Sequence, residues 1–427
     1  MGLVAAMYLV VSGGAYGLED AVRTAGPRLT LLLCIVVPLT LSLPTALMAA
    51  ELTALMPVEG GFYFWVKEAF GPFAGFAEAY LTILYIATDT AIYPVLFAAY
   101  LGFLFPIGTA GEIALGIALI WLAGALNLMG VRPVGVASTA MTALILAPFG
   151  VLVALGMPRL VHWHLPAGSL VVGDFAGALG AGLTVIIWNF SGWENLSVIS
   201  AEIENPRRNY ARAIAVAIPL VTLGYLLPLM VGVSGAGGSG EWTLGWFTHV
   251  GSEVGGPMLG GAIAIGGALS AVAVFQAAML WVSRMPFVLA RERYLAPRLA
   301  DVWLRTATPW KSIVACCVGF TFLAPLGFVA LVVMDVFFYM GAVALEMGAL
   351  IRLRRTRPGR DGLFTIGYGR PALYLTALAP LVTWLATFGL VISKQDGKSD
   401  FIIAVALALG VWPAYALLRR RYGGPPA

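Results

Sequence analysis

Apolar runs of roughly 20 residues, the length that crosses a bilayer as a helix, follow one another along almost the whole chain. Short polar, Gly-rich or Arg-rich stretches separate them. The runs predict spans at 1–25, 29–53, 73–104, 111–129, 135–157, 175–203, 210–233, 258–290, 312–326, 328–350, 371–392 and 401–418. The Gly-rich, polar stretch 234–257 reads as an outer loop. No soluble domain and no long linker is expected. The first dozen residues resemble a signal-peptide core but lack a basic leader, and they read as mature structure.

Two of these spans are interrupted. The first contains Ser12, Gly13, Gly14, Ala15, Tyr16, Gly17 and Leu18 ahead of Glu19. Three glycines in five residues do not sustain a helix, since each costs about 1 kcal/mol relative to Ala. The apolar segment before them covers about 18 Å, half a crossing. The sixth span carries Trp188, Asn189, Phe190, Ser191, Gly192, Trp193, Glu194 and Asn195, with polar and small residues where a span is normally most apolar. The breaks lie five spans apart. Two interrupted spans at matching places in two halves point to an inverted-repeat transporter with its site at the midplane. Unwound backbone leaves N–H and C=O groups that a small polar ligand can satisfy.

Composition agrees with the pattern. Of 427 residues 60% are hydrophobic and 11% charged, against about 25% charged in soluble chains. With the N-terminus in the cytoplasm, 20 of the 25 Lys and Arg fall inside and five outside. That split fits the positive-inside rule and places both termini in the cytoplasm, as expected of a multi-pass protein of a plasma (inner) membrane. Tyr63, Trp65, Trp163, Trp242, Trp246, Trp303 and Trp310 are expected at headgroup depth.

Four acids fall at mid-membrane in this layout: Glu19, Asp89, Glu194 and Asp335. Each costs about 2.5–3.5 kcal/mol at a helix centre, which marks them as facing a cavity, a proton path or a cationic ligand. Glu194, Asp89 and Asp335 are the candidates for proton coupling. Glu19 opens the outer half-helix, whose N–H groups would otherwise attract a carboxylate. Its charge favours a polyamine or cationic amino acid there. Tyr93, beside Pro94, is a candidate lining residue, and Phe275 and Gln276 are weaker ones. Glu51, Glu78, Glu202 and Glu346 sit near cytoplasmic helix ends, where pairing with arginines is expected. Glu202 and Glu204 beside Arg207, Arg208 and Arg212 suggest an inner gate.

Other signals carry less. Cys34, Cys316 and Cys317 read as buried thiols, and His162, His164 and His249 lack a third ligand at metal spacing. The run Asp396-Gly397-Lys398-Ser399 lacks the first glycine of a phosphate loop. The basic stretch 352–370 suits anionic lipid rather than nucleic acid. No cofactor or metal and no enzymatic constellation is expected. The expected partners are the lipid bilayer and a small amine or amino acid, in a monomer or homodimer.

The stretches SGGAYGLEDAVRTAGP at 12–27, SLPTALMAAEL at 42–52, EGGFYFWVKEAFGPFAGF at 59–76, Asp89 to Pro94 and WNFSGWEN…AEIENPRRNYARA at 188–213 resemble the amino acid–polyamine–organocation permease superfamily. The nearest likeness is to its polyamine-uptake and L-type amino acid transporter group. The resemblance implies an all-α fold of about 12 transmembrane helices: a five-plus-five inverted repeat (1–157 and 175–350) with broken helices 1 and 6, as in the LeuT fold, and two further helices at 371–418. It implies a secondary transporter working by alternating access, proton-coupled or exchanging, for polyamines or for neutral or cationic amino acids. A substrate-sensing receptor on the same scaffold is the reading from another class. Ser12 to Gly17 and Asn189 to Gly192 match the substrate-cradling breaks, Trp188 a gating tryptophan, and Glu194 a proton-sensing glutamate. The chain departs from the family in helix 1, where Tyr-Gly-Leu-Glu replaces Gly-Ser-Gly-Ile. It also lacks the lysine that many proton-coupled relatives carry in span 5, showing Ser138, Thr139 and Thr142 instead. Sodium remains open, with Ser270 a possible ligand.

Overall fold

The computed structural model describes residues 8, 11–56, 61–129, 135–161, 174–195, 206–234, 241–291, 293–303, 305–306, 308–356, 364–367, 369–393 and 398–422. Of residues 135–143, 206–211, 280, 281, 288, 370 and 393 it describes the backbone alone. Glu202, Glu204, His162, His164 and the 396–397 part of the phosphate-loop-like run lie outside the described residues. So do the side chains of Arg207, Arg208, Ser138, Thr139 and Thr142.

Every regular element among the described residues is helical, apart from a lone bridge between Trp303 and Thr308. Nine helices are long and apolar enough to cross a membrane, and Phe175–Asn189 is a shorter apolar one. In chain order the helices are α1 (Glu19–Ala25), α2 (Pro27–Val37), α3 (Leu43–Leu55), α4 (Gly61–Phe70), α5 (Pro72–Leu104), α6 (Gly108–Leu128), α7 (Gly135–Val161) and α8 (Phe175–Asn189). They continue as α9 (Pro206–Val233), α10 (Phe247–Val282), α11 (Arg284–Arg291), α12 (Trp310–Leu323), α13 (Gly327–Thr356), α14 (Arg370–Ser393), α15 (Lys398–Leu409) and α16 (Val411–Tyr422).

Two expectations need correction. The stretch 234–257 is not all loop: α10 begins at Phe247, and its path is broken at Gly255 and Gly256 before Pro257. Thr248 and Val250 are buried there, so packing outweighs the glycine content. The amphipathic helix α4 also escaped the reading of apolar runs, because its buried face (Phe62, Trp65, Val66, Ala69) is interleaved with Lys67 and Glu68. Trp65 and Trp242 are buried rather than interfacial, whereas Trp303 and Trp310 are exposed.

The chain forms two compact units. The first holds Met1–Thr82, Met157–Trp242 and Val336–Phe401; the second holds Ile83–Gly156, Thr243–Asp335 and Ile402–Ala427. In the first, α8 packs against α1, α2 and α14, and α3 against α9. Small residues set these approaches. A β-carbon on Gly182 of α8 would come within 2.6 Å of Ala25, and one on Gly180 within 3.0 Å of Leu390 in α14. Asp174 caps α8 by accepting the Gly177 N–H at 3.0 Å. In the second unit, α6 packs against α10 and α12. Gly124 there leaves room for the Cys317 thiol.

Candidate functional site

Both breaks lie in the first unit. The inner segment closes with the Ser12 N–H on the Tyr8 carbonyl at 2.7 Å. From Ser12 to Leu18 the chain is not helical. Ser12 Oγ accepts the Gly14 N–H at 3.3 Å, a side-chain turn that competes with the helix. Gly14 (φ 108°) and Gly17 (φ 87°) occupy backbone that residues with a β-carbon avoid. The chain becomes helical again at Glu19, which is fully buried. Its Oε2 accepts the Gly17 N–H at 2.8 Å. The amide entering the outer half-helix is thus met by the chain's own carboxyl group.

The second break begins later than the sequence suggested. Trp188 and Asn189 are still helical, and Asn189 Nδ2 donates to the Val185 carbonyl at 3.0 Å. The path leaves the helix at Phe190 and passes through Gly192 at φ 86°. The freed carbonyls find donors on other helices. Phe190 O accepts from Trp193 Nε1 at 2.9 Å and from Ser42 Oγ at 2.9 Å. Ser42 closes a π-helical turn, Pro38–Ser42, between α2 and α3. Such turns re-aim side chains and recur at functional sites. Ser191 Oγ bonds back to Trp188 O at 2.8 Å.

Two tyrosines tie this region together. The hydroxyl of Tyr225, on α9, donates to the Asn189 carbonyl at 3.1 Å and lies 3.5 Å from the Val11 carbonyl. One hydroxyl therefore spans both broken helices, with the shorter bond to the second. Gly224 beside it leaves space for Tyr8, whose hydroxyl would stand 2.8 Å from a β-carbon there. On α13, Tyr339 Oη accepts the Gly192 N–H at 3.1 Å and donates to Glu194 Oε2 at 3.0 Å.

The structure thus brings together Ser12 to Gly17, Glu19 and Trp188 to Glu194 in one unit. Gly13 and Ser191 are half-buried and the others buried. Asp89, Tyr93 and Asp335 belong to the second unit. There Tyr93 donates to both carboxylate oxygens of Asp89, each at 3.3 Å along α5, and Asp335 is buried on α13. Ser270 is buried in the same unit, and Phe275 packs edge-on against Phe320. Among the described residues no group of three His, Cys, Asp or Glu is arranged to hold a metal ion.

The acids expected to pair with arginines divide. Glu51 does so: its carboxyl lies 3.3 Å from Arg354 Nε and accepts the Ile366 N–H at 2.7 Å. Glu78 and Glu346 do not. No ion pair of either with an arginine is present among the described residues, and both are buried. The reason is helix length. The predicted tenth span stopped at residue 350, whereas α13 runs on to Thr356 and leaves Glu346 well inside it. Sequence reasoning missed Ser42, Tyr225 and Tyr339 altogether. Ser42 alone had a local signal, its place between Pro38 and Pro44.

A family model described as amino acid permease matches residues 2–411. The chain is 31% identical to Polyamine transporter RMV1 of Arabidopsis thaliana over 96% of its own length and 83% of that protein's. It is 31% identical to Polyamine transporter PUT1 of Oryza sativa subsp. japonica over 98% and 78%. A more distant similarity, 27% over 63% of the chain and 53% of the relative, links it to Asc-type amino acid transporter 1 of Mus musculus. With its interrupted first and sixth apolar segments inside an all-helical membrane architecture, the chain belongs to the amino acid permease family.

Proposed function

We propose that this protein is a secondary transporter of polyamines, which it binds at the paired breaks and carries by alternating access across a plasma membrane. Both termini face the cytoplasm in this reading, and protons drive accumulation.

One observation carries the choice of substrate. A transported amino acid brings a carboxylate, and the natural receptor for it is the amide-bearing start of the outer half-helix. Here that amide belongs to Gly17, and the Glu19 carboxyl already takes it at 2.8 Å. A second carboxylate would meet an occupied donor and a like charge. A polyamine brings only ammonium groups, and these suit backbone carbonyls and buried acids. The similarity to two polyamine transporters supports the same choice. The amino acid transporter relative supports the second reading, an amino acid exchanger on this fold.

The test is thermal stabilisation of the purified protein by spermidine, putrescine, agmatine, arginine and neutral amino acids, followed by uptake into proteoliposomes. A ligand specific for the folded state stabilises it by mass action, about 2.7 kcal/mol at 100 times Kd. Stabilisation and saturable uptake with polyamines alone support the proposal. Stabilisation by neutral amino acids alone refutes it, and binding without uptake makes the protein a sensor.

A further inference from the structure

Glu78 on α5 and Glu346 on α13 were expected to be structural, and the structure gives them no structural partner of opposite charge. Both are buried, at 0% and 2% exposure. Thr82 Oγ1 donates to Glu78 Oε1 at 2.6 Å. Glu78 Oε2 and Glu346 Oε2 have no hydrogen-bond partner among the described residues. A buried acceptor left without a donor is costly.

These two carboxyl groups are also neighbours of Glu194. Glu346 lies within electrostatic range of both Glu194 and Glu78, and Glu78 within range of Glu194. The packing explains it. Gly341 of α13 meets Leu81 of α5, where an added β-carbon would stand 3.3 Å away, and Gly348 meets Phe70 at 3.2 Å. That approach lays the Glu346 stretch of α13 along the Glu78 stretch of α5. Tyr339, two turns before Glu346 on the same face, reaches Glu194.

The charged groups on the flanking elements are engaged elsewhere or exposed. Lys67 lies over the Tyr63 ring, Arg352 over the Phe70 ring, and Arg354 against Glu51. Glu68 and Arg212 are exposed. The groups facing the cluster are therefore Glu78 and Thr82 from α5, Tyr339 and Glu346 from α13, and Glu194 from the break.

From this arrangement we infer that Glu78 and Glu346 carry the coupling proton, with Glu194 and Tyr339 reporting its presence to the substrate site. The inference rests on the transporter reading above. A proton is the cation that suits the geometry. It needs no volume, and the carboxyls are shut from water. They do not form a metal cage. Protonation turns a carboxylate, which only accepts, into a group that donates as well, so one proton serves both unmatched oxygens. It arrives from external water, forms an O–H bond on one carboxylate, and leaves to cytoplasmic water when that bond breaks. Glu194 is differently placed, since its Oε2 already holds the Tyr339 hydroxyl. That hydroxyl also takes the Gly192 N–H of the break. The charge of the cluster thereby reaches the backbone that cradles substrate.

The experiment uses the full chain in proteoliposomes containing a pH-sensitive dye, with spermidine as the probe. Three quantities are read: spermidine stabilisation, spermidine–spermidine counterflow, and accumulation driven by an imposed pH gradient. Glu78→Gln and Glu346→Gln, made separately, should keep the first two within about threefold and lower gradient-driven accumulation at least tenfold, abolishing the dye signal. Glu346→Asp, which retains a titratable group, should keep coupled uptake. It also controls for a glutamine variant that fails to fold. Retained gradient-driven accumulation in both glutamine variants overturns the inference. So does loss of spermidine binding with proton movement intact, which would make the cluster a subsite for a substrate ammonium. A wild-type protein that binds no polyamine defeats the substrate proposal instead, and the same three readings are then taken with the amino acid that does stabilise it.

Discussion

Replacing Glu19 separates the two substrate classes. Glu19→Ala removes the acceptor of the Gly17 N–H, a 2.8 Å bond in a fully buried position. An orphaned buried donor costs about 1–3 kcal/mol, so the ligand-free protein should lose that much stability. A ligand carboxylate entering the same place would form a charge-assisted bond worth about 1.5–3 kcal/mol. At 1.4 kcal/mol per decade this is roughly a 10- to 150-fold gain in affinity for an amino acid. Spermidine, which has nothing to offer that amide, should gain nothing and lose the attraction of one buried acid. Glu19→Gln is the control. Its amide oxygen still accepts from Gly17, so stability should stay within about 1 kcal/mol of wild type. Spermidine should still weaken, and no amino acid binding should appear. Isothermal titration of the three proteins with spermidine and with a neutral amino acid such as alanine reads the pattern. Unchanged spermidine affinity in both variants, with no amino acid gain in the alanine variant, would show that Glu19 merely caps α1.

Three further outcomes follow from the same geometry. Tyr225→Phe removes the hydroxyl shared by the breaks and leaves the Asn189 carbonyl without that donor; thermal unfolding should show a loss of about 1–3 kcal/mol that saturating spermidine partly restores, and a loss that ligand leaves untouched would remove Tyr225 from the site. Arg354→Ala strips the buried Glu51 of its cation and of the bonds Arg354 Nη2 makes to the Ile366 and Gly367 carbonyls; about 3 kcal/mol should be lost, and a double-mutant cycle with Glu51→Gln should show strong coupling. Gly192→Ala forces a β-carbon onto φ 86° and within 3.0 Å of Asn195; a loss of about 1–3 kcal/mol is expected, with spermidine uptake falling further than stability does.

The membrane architecture and the two breaks were legible because both are written in local composition. Runs of apolar residues fix spans without reference to neighbours, and Gly13, Gly14 and Gly17 end a helix wherever it lies. Helices α4 and the first turns of α10 were missed for the opposite reason: their apolar residues are too interleaved, or too glycine-rich, to register as a span. The break partners were harder still. Ser42, Tyr225 and Tyr339 reach their carbonyls and amides across 36 to 148 residues of chain. Nothing in the neighbourhood of Tyr225, an isolated phenol in an apolar run, distinguishes it from packing. Its role exists only once α9 lies beside both broken helices.

The acids show what a structure adds to a residue count. Glu51, Glu78 and Glu346 were grouped in sequence as acids near helix ends, and each proves buried within the first unit. Glu51 is fully compensated. A cation and a backbone amide meet its two oxygens, and that same cation holds the chain at Ile366 and Gly367. The fold thus has the means to neutralise a buried acid with the arginines that crowd its cytoplasmic side. Glu78 and Glu346 lie on helices of the same unit, and for them the means are not used. Leaving a buried charge uncompensated costs several kcal/mol after relaxation, whereas a Gln or Leu at either position would remove the charge. The contrast between a compensated acid and two uncompensated ones in one unit separates Glu78 and Glu346 from the structural acids. It places the proton-carrying step beside the break, at groups that periodicity, depth and charge counting had assigned to the helix ends.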